Sequence, residues 1–425
     1  YIFLLMALRR EPDNPIKIQE IVANFDVGEL LGSGSFGAVW KIKNKKTQDY
    51  FALKLSAETA YPISMKCEIE VLKQCNGSCN LPKPYYFGKW NYQYYIIMNY
   101  VPHDDFMEIL YSFTNKEIVE YAKNLFIALE YLHDRNIIHR DVKPGNFLYN
   151  RREKKYMLVD FGLSSFYKPI EENILTPVQF NLDNRRSSTT KRKLSLNEME
   201  VEGSHENNIK RRNVDTIDER DQKYSTKVKN ICNCYDQELM VDIWSAGCTI
   251  LSIACQLPSF FRPADEFQAL FQYACIVGTD DLKKAANYWN VDLIISLQSS
   301  RKSFYLISKA MKKKSIYSIK DFTSSGCYQC RNYLIDNPDG ICVCFKNNCT
   351  YPYEDEYEKM VINIINWCLI SHPKIRYSAK DILECIKDFE NSIKKKKHIE
   401  KLENSVSKML QSNILKILPT VHVFS

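Results

Sequence analysis

His139-Arg140-Asp141-Val142-Lys143-Pro144-Gly145-Asn146, followed by Asp160-Phe161-Gly162, is the stretch that decides how this chain folds. Phosphoryl transfer runs through a loose transition state with little covalent chemistry, so a protein that performs it must place a hydroxyl, hold metal ions and spread charge. The run carries a group for each task. Asp141 would accept or orient a substrate hydroxyl proton, Asn146 and Asp160 would hold Mg²⁺, and Lys143 would sit beside the transferring phosphoryl group. Two such triplets can arise by chance in an unrelated fold; the flanking sequence decides against that.

Upstream, Leu31-Gly32-Ser33-Gly34-Ser35-Phe36-Gly37 lies between Phe25–Leu30 and Trp40-Lys41-Ile42-Lys43. Glycines let a backbone approach phosphates without a Cβ in the way, and a dinucleotide fold uses them similarly, but there a helix follows at once. Here alternating lysines and apolar residues predict a strand. Phe51-Ala52-Leu53-Lys54 then matches the third-strand motif whose lysine contacts the α- and β-phosphates. Together these motifs resemble the protein kinase superfamily, and Lys143, two positions after Asp141, points to serine/threonine substrates. The fold class this implies is α+β: a bilobal protein-kinase fold with a small β-rich N-lobe and a larger, mainly helical C-lobe carrying two insertions.

A lysine beside ATP must be positioned by a carboxylate on the next helix. Glu68 is preferred to Glu70, because its register sets Ile69 and Leu72 on the neighbouring apolar face. Tyr95-Ile96-Ile97-Met98 reads as a buried strand running into a hinge at Asn99-Tyr100-Val101-Pro102, with Met98 as gatekeeper; a plain core methionine there would line the pocket as well. The ATP-binding set expected is Leu31, Gly32, Gly34, Gly37, Val39, Ala52, Lys54, Met98, Tyr100 and Leu148.

The 425 residues, 45% of them hydrophobic, can bury a two-lobed core. No stretch approaches the roughly 20 apolar residues of a membrane span. Tyr1–Leu8 is too short for one and lacks a clear cleavage site, and the start at Tyr rather than Met predicts a fragment or an incomplete beginning. Fifteen cysteines read as cytosolic or nuclear thiols, some of them candidates for metal, rather than a secreted disulfide framework. The net charge of +7 is spread through runs with no aromatic-interleaved basic platform, which argues against direct nucleic-acid binding.

The organisation expected is an N-terminal segment (1–20), N-lobe and hinge (21–101), C-lobe with the catalytic loop (102–167), a mostly disordered insertion (168–238), C-lobe (239–289), a cysteine-containing insertion (290–357), the end of the C-lobe (358–392) and a basic amphipathic tail (393–425). From about Lys168 to Asn230 the composition cannot bury enough apolar surface to offset chain entropy. Lys191-Arg192-Lys193 and Lys210-Arg211-Arg212 within it are open to two readings, a nuclear-import signal and a solvated loop. Order resumes at Val241-Asp242-Ile243-Trp244-Ser245-Ala246-Gly247-Cys248, which has the form of the central large-lobe helix, where Asp242 would hydrogen-bond the catalytic-loop backbone.

The runs His139–Arg152 and Lys155–Leu163 resemble more closely the catalytic subunits of DDK, the cell-division-cycle-seven-type serine/threonine kinases, to which the tail Asn146-Phe147-Leu148-Tyr149-Asn150 is specific. The likeness covers about residues 20–390 and is loose in both insertions. It implies an ATP- and Mg²⁺-dependent nuclear kinase that is activated by a separate regulatory subunit. It also implies a preference for serines flanked by acidic or phosphorylated residues, and phosphorylation of the MCM helicase to trigger replication initiation and cell-cycle progression.

One departure stands out. Kinases close the activation segment with Gly-Thr-x-x-Phe/Tyr-x-Ala-Pro-Glu, and here only Cys232–Met240 fills that space, with Glu238 too near Asp242 to serve. Arg376 is then expected to lack its buried carboxylate, and losing one member of such a pair costs about 3–5 kcal/mol. Cys232-x-Cys234 resembles the first half of a four-cysteine zinc site in this family's insertion, whose second half is missing; half a site cannot close a tetrahedron. A skipped exon or faulty gene model between Cys234 and Leu239 is the leading reading. A pseudokinase competes with it, against the intact set Lys54, Glu68, Asp141, Asn146 and Asp160.

In the second insertion Cys327, Cys330, Cys342 and Cys344, with Cys349 nearby, fit either a small zinc knuckle or reduced loop cysteines. After Lys394-Lys395-Lys396-Lys397, the residues Leu402, Val406, Met409, Leu410, Ile414 and Leu418 predict an amphipathic helix, expected to pack on the large lobe, with partner docking as the alternative. Three functional readings remain: an active DDK-like kinase, a partner-binding pseudokinase, and a casein-kinase-like enzyme acting without a subunit.

Overall fold

Period-two alternation builds the first layer. The computed structural model describes residues 15–34, 37–57, 62–167, 239–289, 293–295, 298–312 and 351–417, all of them within the unit Tyr1–Tyr167 with Lys227–Ser425. After α1 (Gln19–Asn24) come β1 (Phe25–Gly34), β2 (Gly37–Asn44), β3 (Tyr50–Ser56), α2 (Pro62–Cys75), β4 (Pro84–Trp90) and β5 (Gln93–Asn99), with the sheet order β1-β2-β3-β5-β4 and every pairing antiparallel. Side chains alternate between the two faces of the sheet. One face sends Ile42, Leu53, Leu55, Tyr95 and Ile97 against Ile18 and Ile21 of the α1 region. The other sends Ala52, Ile96 and Met98 into the main core with Val71 and Leu72 of α2.

The helical lobe begins with α3 (Phe106–Ile109) and α4 (Asn115–His133). Thr114 caps α4, its side chain accepting from Glu117 N at 3.2 Å. Ile118, Tyr121, Leu125, Phe126, Leu129 and Leu132 are buried on one face of α4, the apolar stripe of an amphipathic helix. The catalytic stretch is carried by two small antiparallel pairs, β6 (Ile137–Ile138) with β9 (Ser165–Phe166) and β7 (Phe147–Asn150) with β8 (Lys155–Leu158). Next come α5 (Met240–Ala254), α6 (Glu266–Val277), α7 (Thr279–Tyr288), α8 (Phe304–Met311), α9 (Glu356–Cys368) and α10 (Ala379–Ile417). Gly247 of α5 permits a close helix crossing, because a Cβ there would sit 2.4 Å from that of Cys368 and 2.9 Å from Leu369.

Arg376 is well supplied with acceptors: its guanidinium donates to Met240 O (2.7 Å), Ile370 O (2.8 Å) and Ser371 O (3.1 Å) and lies over the Trp244 ring. The C-terminal stripe corrects the sequence expectation. α10 is anchored by buried Ile382 and Ile386 and by the Lys123–Glu390 pair, yet Ile399, Leu402, Val406, Met409 and Leu410 are each more than half exposed rather than packed on the large lobe. A helix of 39 residues runs about 58 Å, so its distal part leaves the surface on which its first turns rest. The 168–238 insertion with its basic clusters, Cys232, Cys234 and Glu238, and Cys327, Cys330, Cys342, Cys344 and Cys349 lie outside the described residues, as do the side chains of Ile414 and Leu418. Among the described residues no helix is long and apolar enough to cross a membrane.

Candidate active site

A cavity of about 450 Å³ lies between the sheet and the helical lobe, a size suited to a small-molecule ligand. Leu31, Gly32, Gly34, Gly37 and Val39 line it from β1 and β2, Ala52 and Lys54 from β3, Met98 and Tyr100 from β5 and the hinge, and Leu148 from β7. Asp141, Lys143, Asn146 and Asp160 line it too, so the structure brings the sequence-derived set to one place. The glycines differ in kind. A Cβ on Gly32 or Gly34 would meet nothing within 4 Å, whereas Gly37 has φ +132° and its Cβ would fall 2.0 Å from Leu55 O. The first two leave open space beside the cavity, and the third is demanded by backbone crowding.

Glu68, not the exposed Glu70, reaches Lys54: the Nζ–Oε1 distance is 2.5 Å, and Asp160 Oδ1 lies 2.8 Å from the same Nζ. Burial alone would lower the Lys54 pKa, but the charges of Glu68 and Asp160 outweigh it and hold the ammonium above its ordinary value. Burial would likewise raise Asp160, and Lys54 draws it down instead. Lys54 and Asp160 therefore both stay charged in the neutral range.

Beside it, Asp141 Oδ2 accepts from Lys143 Nζ (2.7 Å) and Asn146 Nδ2 (2.8 Å), and Asn146 Nδ2 also donates to Asp141 O (2.9 Å). With its amide nitrogen spent on Asp141, Asn146 keeps Oδ1 for a cation. Asp160 Oδ1 takes Lys54 and, more loosely, Gly162 N (3.4 Å), leaving Oδ2. Two hard oxygens at one end of the cavity suit Mg²⁺.

Arg140 and Asp160 both have left-handed backbone, φ +67° and +68°, a conformation that costs a non-glycine residue about 1–2 kcal/mol. Asp242 holds the first of them. Its carboxylate accepts from His139 N and Arg140 N, each at 2.8 Å, and from His133 Nε2 at 3.1 Å, so it makes the catalytic-loop contacts expected of it. Although burial pushes Asp242 upward, the His133 hydrogen bond and its other neighbours keep it below the usual carboxylate value. His139 links the same loop to the second triplet: Nε2 donates to Val159 O (3.1 Å), Nδ1 accepts from Asp141 N (3.3 Å), and the ring packs edge-on to Phe161. Its burial lowers its pKa and favours the neutral ring.

Sequence reasoning missed two features. Arg151 forks onto the buried Glu117 (Nε–Oε1 2.7 Å, Nη2–Oε2 2.6 Å), which also accepts from Tyr149 OH (2.7 Å). Arg151 N meanwhile donates to Asp104 Oδ2 (2.7 Å), so the tail after Asn146 ties the hinge exit to α4. The signal was Glu117, three residues after the cap Thr114, where it reads as a local capping partner rather than as an arginine acceptor. His103, Met157 and Val159 also line the cavity; Met157 of β8 and Val159 just past its end stand two residues apart, a period-two signal that was available.

The protein kinase domain family matches residues 25–181. The chain is 37% identical over 170 residues to the human "Cell division cycle 7-related protein kinase", a match covering 39% of this chain and 30% of that protein. Identity to the mouse protein of the same name is 36% over 165 residues, 38% of this chain and 29% of that one, so the matched part spans less than a third of either mammalian protein. "Probable cell division control protein 7 homolog 2" of Encephalitozoon cuniculi is 29% identical over 270 residues, 61% of this chain and 73% of that protein.

Proposed function

Because the chain belongs to the protein kinases of the cell division cycle 7 type, we propose that it transfers the γ-phosphoryl group of ATP to serines in acidic context. Protein substrates would include the MCM helicase, and the outcome would be the initiation of DNA replication in the nucleus. The observation that carries this reading is the Lys54–Glu68–Asp160 cluster sharing one cavity with Asp141 and Asn146.

Lys54, oriented by Glu68, would bind the α- and β-phosphates. Val39, Ala52 and Leu148 would enclose adenine against the hinge backbone at 99–101, with Met98 behind it. Asn146 Oδ1 and Asp160 would hold Mg²⁺, which when bound neutralises charge on the phosphates. Asp141, held in place by Asn146 and Lys143, would take the proton of the serine hydroxyl, while Lys143 stands beside the transferring group. A separate regulatory subunit would activate the chain, and direct nucleic-acid contact is not part of the proposal.

A second reading, a partner-binding pseudokinase, is favoured by one observation: no Ala-Pro-Glu segment stands between Gly162 and Asp242. Asp141→Ala separates the two. With regulatory subunit present, transfer to an acidic serine peptide should fall about 10²- to 10⁴-fold, while MgATP affinity stays within about twofold. Full turnover in the variant would remove Asp141 from its role. A wild-type chain that binds MgATP and the subunit without turnover would establish the second reading, and activity independent of the subunit would point to a casein-kinase-like enzyme.

A further inference from the structure

α10 carries two apolar faces that look in different directions. Ile382, Ile386 and Phe389 seat its first turns on the large lobe, the two isoleucines fully buried and Phe389 edge-on to Tyr357 of α9. Ile399, Leu402, Val406 and Leu410 form the second face, and each is between 53% and 57% exposed. A residue advances an α-helix by about 100°, which sets the second face roughly 120° around the axis from the first. A helix seated on one face cannot turn the other toward the same lobe. What covers the second face therefore comes from another molecule.

The residues themselves narrow that partner. Ile399, Leu402 and Val406 follow at steps of three and four, the period at which two helices supercoil. β-Branched Ile399 and Val406 at the first heptad position, with Leu402 at the fourth, are the combination that favours two parallel strands. The flanks agree. Glu400 and Glu403 border the stripe on one side, and Lys394, Lys401 and Lys408 on the other; Lys396, on the acidic side, is paired with Glu356 of its own chain at 2.7 Å. Identical helices laid parallel set the acidic flank of each against the basic flank of its partner, whereas antiparallel helices oppose like with like. Nearer the lobe the same line carries Asp381, Glu384, Asp388 and Lys395, where two copies repel, so the seam is confined to the turns from Ile399 onward.

We propose that the distal part of α10 pairs with that of a second copy of this chain as a short parallel two-stranded coiled coil, with both catalytic lobes at the same end of the seam. It is shorter than the roughly three to four heptads of a sustained coiled coil. The dilute chain is therefore monomeric, and dimers form at about 10–100 µM. The pairing needs no nucleotide and is independent of the ATP reading.

The test is sedimentation equilibrium of the full chain without nucleotide, from about 1 to 200 µM. The mass should rise from 49.8 kDa toward twice that value. Leu402→Glu and, separately, Val406→Glu should weaken association at least about tenfold, while the unfolding midpoint of the dilute chain stays at the wild-type value. His398 and Glu403 stand at the two edges of the seam, so in a parallel pair His398→Glu opposes the partner's carboxylate and should weaken the dimer about threefold; adding Glu403→Lys should restore it. A mass that stays at one chain over the whole range overturns the proposal and leaves the stripe to a different protein. Association that survives both stripe variants overturns it too, and a double variant that is not restored overturns the parallel orientation.

Discussion

Two lysines in this protein have nearly the same surroundings and different prospects. Lys54 and Lys309 are 6% and 8% exposed, and each stands between two carboxylates: Glu68 (2.5 Å) and Asp160 (2.8 Å) for the first, Glu358 (2.6 Å) and Glu354 (2.8 Å) for the second. Burial lowers both and the carboxylates outweigh it, so both ammonium groups titrate above their ordinary value. What differs is the space in front of them. Lys54 faces the cavity, whereas Lys309 of α8 seals against the start of α9 under the Tyr305 ring and does not line that cavity. A buried lysine among carboxylates is therefore no functional mark by itself; open volume beside it is.

The largest effects test this contrast directly. Lys54→Met should cut phosphoryl transfer per folded molecule about 10²- to 10³-fold, and because Glu68 is only 1% exposed its loss of a partner should lower stability as well. Lys309→Met should leave transfer per folded molecule unchanged and cost about 3–5 kcal/mol in denaturant unfolding, since Glu358 is left buried without its partner. A folded but inactive Lys309→Met, or a folded Lys54→Met with full transfer, would break the comparison.

An acid titration extends the contrast to a buried carboxylate beneath the catalytic loop. The folded-state pKa of Asp242 lies below its ordinary 3.8, so the stability it contributes is complete well above that value and is lost as pH falls through it toward the lower folded pKa. Asp242→Asn should therefore be least stable relative to wild type at neutral pH, and the gap should narrow progressively below about pH 4. A gap that stays constant down to pH 2 would mean that the carboxylate charge is not what holds the catalytic loop.

The smallest effect expected lies at the far end of α10. Leu402→Ser should shift stability by no more than about 0.5 kcal/mol, because Leu402 is 53% exposed. Ile386→Ala on the same helix, fully buried, should cost about 2–5 kcal/mol. Comparable losses would show that the exposed stripe is covered.

These cases also explain how much could be read in advance. The alternation of Trp40-Lys41-Ile42-Lys43 is legible as a strand because period two is a local property, and β2 is that strand with Ile42 fully buried. Glu68 rather than Glu70 follows from helix register, and Glu68 is the residue that meets Lys54. The α10 stripe misled because periodicity shows that a helix has an apolar face and says nothing about what covers it. His103 was overlooked because an isolated histidine after a hinge has no spacing signal, although it lines the cavity.

By itself the sequence determined the kinds of reacting group and their local order, since Asp141, Lys143 and Asn146 lie within one short loop whose geometry follows from nearby residues. Tertiary structure decided the distances at which groups far apart in the chain meet. Lys54 and Asp160 are 106 residues apart, Arg140 and Asp242 are 102 apart, and Arg151 and Glu117 are 34 apart. Coulomb and hydrogen-bond energies depend on ångström distances and on the water excluded between the groups, and neither quantity is written in separation along the chain.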